Sequence, residues 1–276
     1  MTNSINILSV PGGELAYGVD GPPGAPLVVC VHGMGANRHA FRLLTPALTA
    51  AGFAVARLDS RGHGDSSPHW PAYDAEHVGQ DVLALVRHLG GPAVLVGSSI
   101  GAAAITFAAA AAPDQVTGLV LIGATATPPR LTPLQRLGLW AAQYSPRLWI
   151  AYYRSLFKAG RPADFAADTD RLLAQLRRPG RMAAVMDLLA PTSVWWTQRA
   201  ADVRCPVLVV MGTRDPDFRD PAAEARTAAA AFPRSEVMMV ENAGHYPFLE
   251  LPDMVNPAIA RFATAAFADT VRPTGA

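Results

Sequence analysis

Residues 89–113 read "LGGPAVLVGSSIGAAAITFAAAAAP", a stretch without a single charge. It is as long as a membrane span, but alanine, glycine and serine supply most of it and a glycine-serine break divides it. Before the break, "AVLV" has the length and composition of a buried strand; after it, "AAAITFAAAAA" has the length of a helix. The stretch therefore predicts a strand, a tight turn and a helix. The turn is "GSSIG", with Gly97 and Gly101 flanking a central Ser99. Such a junction can force its central residue to positive φ and lift the side chain above the sheet, and neighbours without bulk let the chain reverse that sharply. As bare letters "GSSIG" is weak, since an ordinary small-residue turn reads the same way; the flanking strand and helix favour Ser99 as a nucleophile.

Working outward, similar apolar runs recur as "PLVVCV" from 26, "FAVARL" from 53, "GLVLIG" from 118, "PVLVVMG" from 206 and "EVMMV" from 236, and all read as buried strands. Helical patterns lie between them at 38–50, 74–89, 101–112 and 221–232, with a last one at 253–267. Continuous apolar strands alternating with amphipathic helices predict an α/β fold, a doubly wound and mostly parallel sheet covered on both faces. "INIL" and "ELAYGV" add an antiparallel hairpin near the start. The alternation stops at about 125 and resumes at about 204, with helix-like blocks near 133–143, 147–159, 164–178 and 181–190 and no evident strand. The expected organisation is a core of 1–124 and 204–276, with 125–203 forming a helical cap at the carboxyl edge of the sheet, where open α/β folds place their ligands.

A serine hydroxyl is a poor nucleophile at neutral pH, so it needs a base within hydrogen-bond reach and that base needs an orienting partner. "ENAGHYPFLELP" places His245 just after the last strand, and "VLVVMGTRDPDF" places Asp215 and Asp217 just after the strand before it. All lie beyond the carboxyl ends of strands, on the rim that carries Ser99.

At this point the chain resembles the α/β-hydrolases over nearly its whole length, most loosely in the insertion. The resemblance rests on "HGMG" from 32, "DSRGHGDS" from 59, "GSSIG" from 97, "GTRD" from 212 and "GHYPFLELP" from 244, in that family's order. Nucleophile, acid and base follow that order as Ser99, Asp215 and His245. The resemblance favours Asp215 over Asp217 as the acid, leaving Asp217 to face solvent or cap the next helix. It also implies an oxyanion hole from the backbone N–H groups of Ile100 and Met34, each worth about 3 kcal/mol of transition-state stabilisation. His32, His63 and Asp65 take structural roles by the same resemblance, and a serine at the turn argues against the branches that use an aspartate nucleophile, the epoxide hydrolases and haloalkane dehalogenases.

The net charge of +1 gives no overall bias toward nucleic acid. His39, His69, His77 and His88 have no spacing that points to a metal site, and nucleotide-binding glycine motifs are absent, so neither metal nor cofactor is expected. Cys30 and Cys205 read as two buried thiols, and "MTNSINILSV" does not read as a signal peptide, which together favour a cytoplasmic protein. Residues 125–200 hold nine aromatics, among them Trp140, Trp149, Trp195 and Trp196, and 11 Arg or Lys against four Asp. The four tryptophans are candidate contacts for an apolar acyl or aryl group, and the positive balance fits an anionic substrate or an acyl group on an acidic carrier protein. The plainer alternative is that the rings pack the insertion's own helices and the arginines run along exposed faces.

These residues lead to one expected reaction: hydrolysis of an ester, thioester or lactone of a small molecule through an acyl-enzyme, without cofactor. C–C bond hydrolysis and cofactor-free haloperoxidase or perhydrolase chemistry can use the same triad, and a non-catalytic small-molecule receptor can use the same scaffold.

Overall fold

The apolar runs do form strands, in one eight-stranded sheet ordered β1-β2-β4-β3-β5-β6-β7-β8. In the computed structural model, which describes residues 5–127, 138, 141, 144–188 and 195–271, these are β1 (Asn6–Val10), β2 (Gly13–Asp20), β3 (Leu27–Val31), β4 (Ala54–Leu58), β5 (Ala93–Ser98), β6 (Val116–Ile122), β7 (Val207–Gly212) and β8 (Ser235–Val240). The β1–β2 hairpin and the β2–β4 pairing are antiparallel, and every other pairing is parallel. Strands β3 to β7 are buried along their whole length, as two covered faces require. Strand β8 departs from the expectation of a buried strand. It is the sheet edge, and only Val240 of its six residues is buried.

Alternation along the strands divides the core into two layers. Val28 and Cys30 of β3 face a cluster with Leu48 of α1 (Thr45–Ala50) and Val255, Ile259 and Ala263 of α9 (Pro252–Val271). Leu27, Val29 and Val31 face the opposite layer, built by α2 (Ala75–His88), α3 (Ile100–Ala111) and α7 (Pro221–Ala230). Asp74 caps α2 by accepting from His77 N–H. Helix α3 is buried from Gly101 to Ala109, which small side chains permit. A Cβ on Gly79 of α2 would lie 2.7 Å from the Ala104 carbonyl oxygen, so the two helices meet at backbone distance.

The 38–50 pattern gives two elements instead of one, a 3₁₀ turn at Arg38–Phe41 and then α1. Pro46 opens α1 and has no N–H to continue a hydrogen-bond ladder from the turn before it. Cys30 lies at the centre of the sheet, while Cys205 is half-buried and both are free thiols. The uncharged 89–113 stretch is divided between β5 and α3, and no helix among the described residues is long and apolar enough to cross a membrane.

Between β6 and β7 the described elements are helical, α4 (Pro146–Ser155), α5 (Phe165–Leu176) and α6 (Arg181–Asp187). Several polar contacts tie this segment to the sheet side. Arg42 donates two hydrogen bonds to Asp164, at 2.6 and 2.7 Å, and Arg178 pairs with Asp65. Chain order reverses at β3, since β4 lies on one side of it and β5 on the other. Such a switch point opens a crevice beyond the carboxyl ends of the strands.

Candidate active site

Ser99 has φ 55° and ψ −122° between β5 and α3, the positive-φ turn that the sequence predicts. Its N–H is held by the Ile122 carbonyl at 2.8 Å. Both glycines of the turn are required by backbone contact. A Cβ on Gly97 would lie 2.4 Å from the Gly101 oxygen, and one on Gly101 would lie 2.3 Å from the Val31 oxygen. The strain is localised in one residue, and it presents a half-buried serine at the mouth of the switch point.

The loop after β3 approaches this serine closely, since a Cβ on Gly33 would lie 3.0 Å from Ser99 Cβ. Two buried histidines hold the loop. His32 Nε2 accepts from Ser60 N–H at 3.0 Å while its Nδ1 faces the Gly33 oxygen at 2.7 Å. His63 Nε2 accepts from Gly35 N–H at 3.1 Å while its Nδ1 faces the Arg61 oxygen at 3.0 Å. Each neutral ring thus has one accepting and one donating nitrogen satisfied. Burial pushes His32 down to about 4, and burial with the neighbouring His32 pushes His63 down to about 3, so both stay uncharged across the neutral range. Met34 sits between these anchors, and neither its N–H nor that of Ile100 meets an acceptor among the described residues. Asp65 pairs with Arg38 and Arg178, and Asp59 accepts from the backbone of Arg38 and Asp65. The "RGHGDS" loop is accordingly held in place by Arg38, Gly35 and Arg178 from neighbouring segments.

Asp215 and His245 are brought into direct contact: Nδ1 of the imidazole lies 2.7 Å from Asp215 Oδ2, with both side chains buried. The loops that carry them are stitched together by Arg214 N–H to the Ala243 oxygen at 2.9 Å and Asn242 N–H to Thr213 Oγ1 at 2.9 Å. A carboxylate at Nδ1 places the ring proton there and leaves Nε2 as the basic nitrogen. Burial works against the imidazolium, but the charges of Asp215, Asp217 and Glu250 outweigh it and hold His245 above the usual histidine range. The ring lies over the end of β6, where a Cβ on Gly123 would come within 2.9 Å of its Cε1. Gly123 adjoins Ile122, whose carbonyl accepts the Ser99 N–H, so imidazole and serine stand over adjacent strand ends. Ser99 Oγ makes no hydrogen bond among the described residues, to His245 or to any other group.

Two groups beside the imidazole differ from the sequence expectation or were not singled out by it. Asp217 is exposed, one of the two places the sequence allowed it, but it does not cap the next helix, a role taken by Asp220, and it also reaches the imidazole. It lies 3.6 Å from His245 Nδ1 and accepts from the Tyr152 hydroxyl. Glu250, within "GHYPFLELP", accepts from Gly244 and Tyr246 N–H with one oxygen and from Lys158 and Ala159 N–H with the other. It joins the His245 loop to the segment after α4, an arrangement whose only sequence trace is an acid in an apolar motif.

Trp149 is buried and lies against the loop after β3, where a Cβ on Gly35 would meet its ring. Trp196 is buried against Phe232, and its indole N–H bonds the Thr125 oxygen; half-buried Trp195 bonds the Ala126 oxygen. Trp140 lies outside the described residues. Tyr153 and Phe157 pack against Tyr246, and Phe165 packs on both of them, as expected of rings that join elements. Among the described residues, Asp215, Asp217 and His245 are the one group of three potential metal ligands within mutual reach, with ligand atoms within 4.8 Å, and their polar atoms already bond one another and Tyr152.

The strained serine at a strand-helix turn and the buried acid-histidine pair stand in the order expected of one family, and the alpha/beta hydrolase family model matches residues 28–258. The chain belongs to the α/β-hydrolase family. Among curated relatives of this α/β-hydrolase, epoxide hydrolase A of Mycobacterium tuberculosis is 25% identical over 95% of each chain. The 2-(acetamidomethylene)succinate hydrolase of Mesorhizobium japonicum is 29% identical over 92% of this chain and 93% of its own. A solved hydrolase from Pseudomonas aeruginosa PA01 superimposes with a TM-score of 0.78 at 26% identity, covering 95% of this chain and 99% of its own.

Proposed function

We propose that this α/β-hydrolase is a serine hydrolase that cleaves an ester, thioester or lactone bond of a small molecule through an acyl-enzyme. The observation that carries this reading is the buried Asp215–His245 pair, whose basic Nε2 is turned away from the carboxylate while a strained serine occupies the neighbouring strand end. Ser99 Oγ attacks the carbonyl carbon as His245 Nε2 takes its proton. Asp215 holds the ring and stabilises the imidazolium. The N–H groups of Met34 and Ile100 receive the negative oxygen, and neither is bonded to an acceptor among the described residues. His245 returns the proton to the leaving group, water then attacks the acyl carbon with the same base, and Ser99 is released.

Residues 125–203 act in this reading as a cap over the site, with apolar rings near the acyl group. Its positive balance fits an anionic substrate or an acidic carrier. That balance is partly spent, because Arg178 pairs with Asp65 outside the segment. A relative whose name carries a succinate is in keeping with an anionic substrate, and the serine at position 99 argues against epoxide hydrolysis, the activity in another relative's name.

A panel of p-nitrophenyl esters of increasing acyl length, with and without hydrogen peroxide, tests the assignment. Hydrolysis without peroxide is expected, best for esters with an apolar acyl group. Turnover only with peroxide would reassign the protein to perhydrolase chemistry, and binding without turnover would make it a receptor.

A further inference from the structure

Two carboxylates converge on one nitrogen of His245, and the reaction just derived uses only one. Asp215 Oδ2 lies 2.7 Å from Nδ1 and Asp217 Oδ2 lies 3.6 Å from it. An approach of about 0.8 Å would bring Asp217 to ordinary hydrogen-bond distance. The 215–217 turn keeps the two acids together, since Asp217 N–H donates to Asp215 Oδ1 at 3.0 Å. Asp217 is further fixed from outside the turn. The Tyr152 hydroxyl lies 2.9 and 3.0 Å from its two oxygens, and the Tyr152 ring meets the buried Trp149 edge-on at 5.5 Å. Tyr152 belongs to α4, so a helix from the segment between β6 and β7 sets the position of an acid beside the imidazole.

We propose that Asp217 is a second acid for His245, held in place by Tyr152, which shares the charge formed on the imidazole and takes over Nδ1 when Asp215 is lost. The proposal rests on the reading of Ser99, His245 and Asp215 as the catalytic group. Asp217 and Tyr152 act through His245 and are positioning residues.

The electrostatics agree with the geometry. His245 is faced by Asp215 and Asp217 from the loop after β7, by Glu250 of α8 (Pro247–Glu250), and by Tyr246 beside it. Asp217 is faced by His245, Asp215 and Tyr152; partial burial of its side chain and the Asp215 charge raise its carboxyl, against the pull of His245 and the Tyr152 hydrogen bond. A negative charge on Asp217 raises the His245 pKa, so removing it must lower that pKa. The base works as neutral imidazole, so kcat/KM rises with pH through this pKa. Asp217→Asn therefore moves the acid limb to lower pH. Tyr152→Phe removes a bond that favours the charged carboxylate, so Asp217 gains its proton more readily and the limb moves in the same direction.

The test combines p-nitrophenyl butyrate kinetics across pH with NMR titration of the His245 ring in the full chain. Asp217→Asn and Tyr152→Phe are each expected to lower the His245 pKa and the acid limb together. The Tyr152→Phe/Asp217→Asn pair should shift no further than Asp217→Asn, because both act through one carboxylate. Asp215→Ala/Asp217→Asn should lose about 10⁴ in kcat, the loss expected for a base with no oriented acid, and Asp215→Ala alone should retain at least about tenfold more. An unmoved His245 titration in Asp217→Asn, or equal loss in the Asp215→Ala single and double variants, overturns the proposal while leaving the triad reading intact. Full ester turnover by Ser99→Ala overturns the triad reading and the proposal with it.

Discussion

Replacing Ser99 with alanine lowers kcat by about 10⁴ to 10⁶, His245→Ala does nearly the same, and the double variant loses little more than either. Non-additivity is the informative part. The hydroxyl is useful only while a base can take its proton, and the base is useful only while a nucleophile needs one, so removing either abolishes the shared step. The buried Asp215–His245 contact and the N–H groups of Met34 and Ile100 survive in Ser99→Ala, and residual binding of a polarised carbonyl sets the floor. Measuring kcat for both single variants and their combination under one set of conditions checks this. Independent multiplicative losses would mean that the two side chains serve different steps.

The second large effect is expected from a residue with no chemistry of its own. Gly101→Ala puts a Cβ 2.3 Å from the Val31 carbonyl oxygen, and the obstacle is backbone in the middle of the sheet. Neither partner can turn aside as a side chain could, so α3 must move away from the end of β3. The expected cost is about 3 kcal/mol of stability, read as a lower denaturant midpoint with unchanged slope. Activity in the remaining folded protein falls by about 100-fold, because Ser99 and the Ile100 N–H move with the start of the helix and a displacement of about 1 Å is enough for that loss. Wild-type stability and activity in Gly101→Ala would show that the turn is looser than its contacts imply.

That glycine explains why so much of the site was legible in the sequence. Gly97, Ser99 and Gly101 are three positions of one local device, and the flanking runs identify its strand and helix without distant information. His245 and Asp215 were legible because each sits in a loop just past an apolar strand, and parallel strands carry their exit loops to one rim. His32 and His63 read as structural, and the paired hydrogen bonds of each ring agree.

Features that depend on contacts between separate segments escaped the sequence. Asp217 is an exposed acid, and its sequence setting does not say that Tyr152, 65 positions earlier, donates to it. Glu250 looks like part of a short motif, but its second oxygen is bonded to backbone 92 and 91 residues away. Trp149 carries no signal that it would fill the space a side chain at position 35 would need. The short burial of β8 was hidden for a different reason, since an apolar run does not say whether its strand has neighbours on both sides.

An acyl-enzyme reaction in this protein requires that Ser99 become acylated, with His245 as its base. Treatment of the full chain with a fluorophosphonate, then intact-mass measurement and peptide mapping, examines that bond itself. One adduct per chain is expected, located on Ser99, absent in Ser99→Ala and formed far more slowly in His245→Ala. An adduct on another residue, or one that persists undiminished in Ser99→Ala, would contradict that role for Ser99.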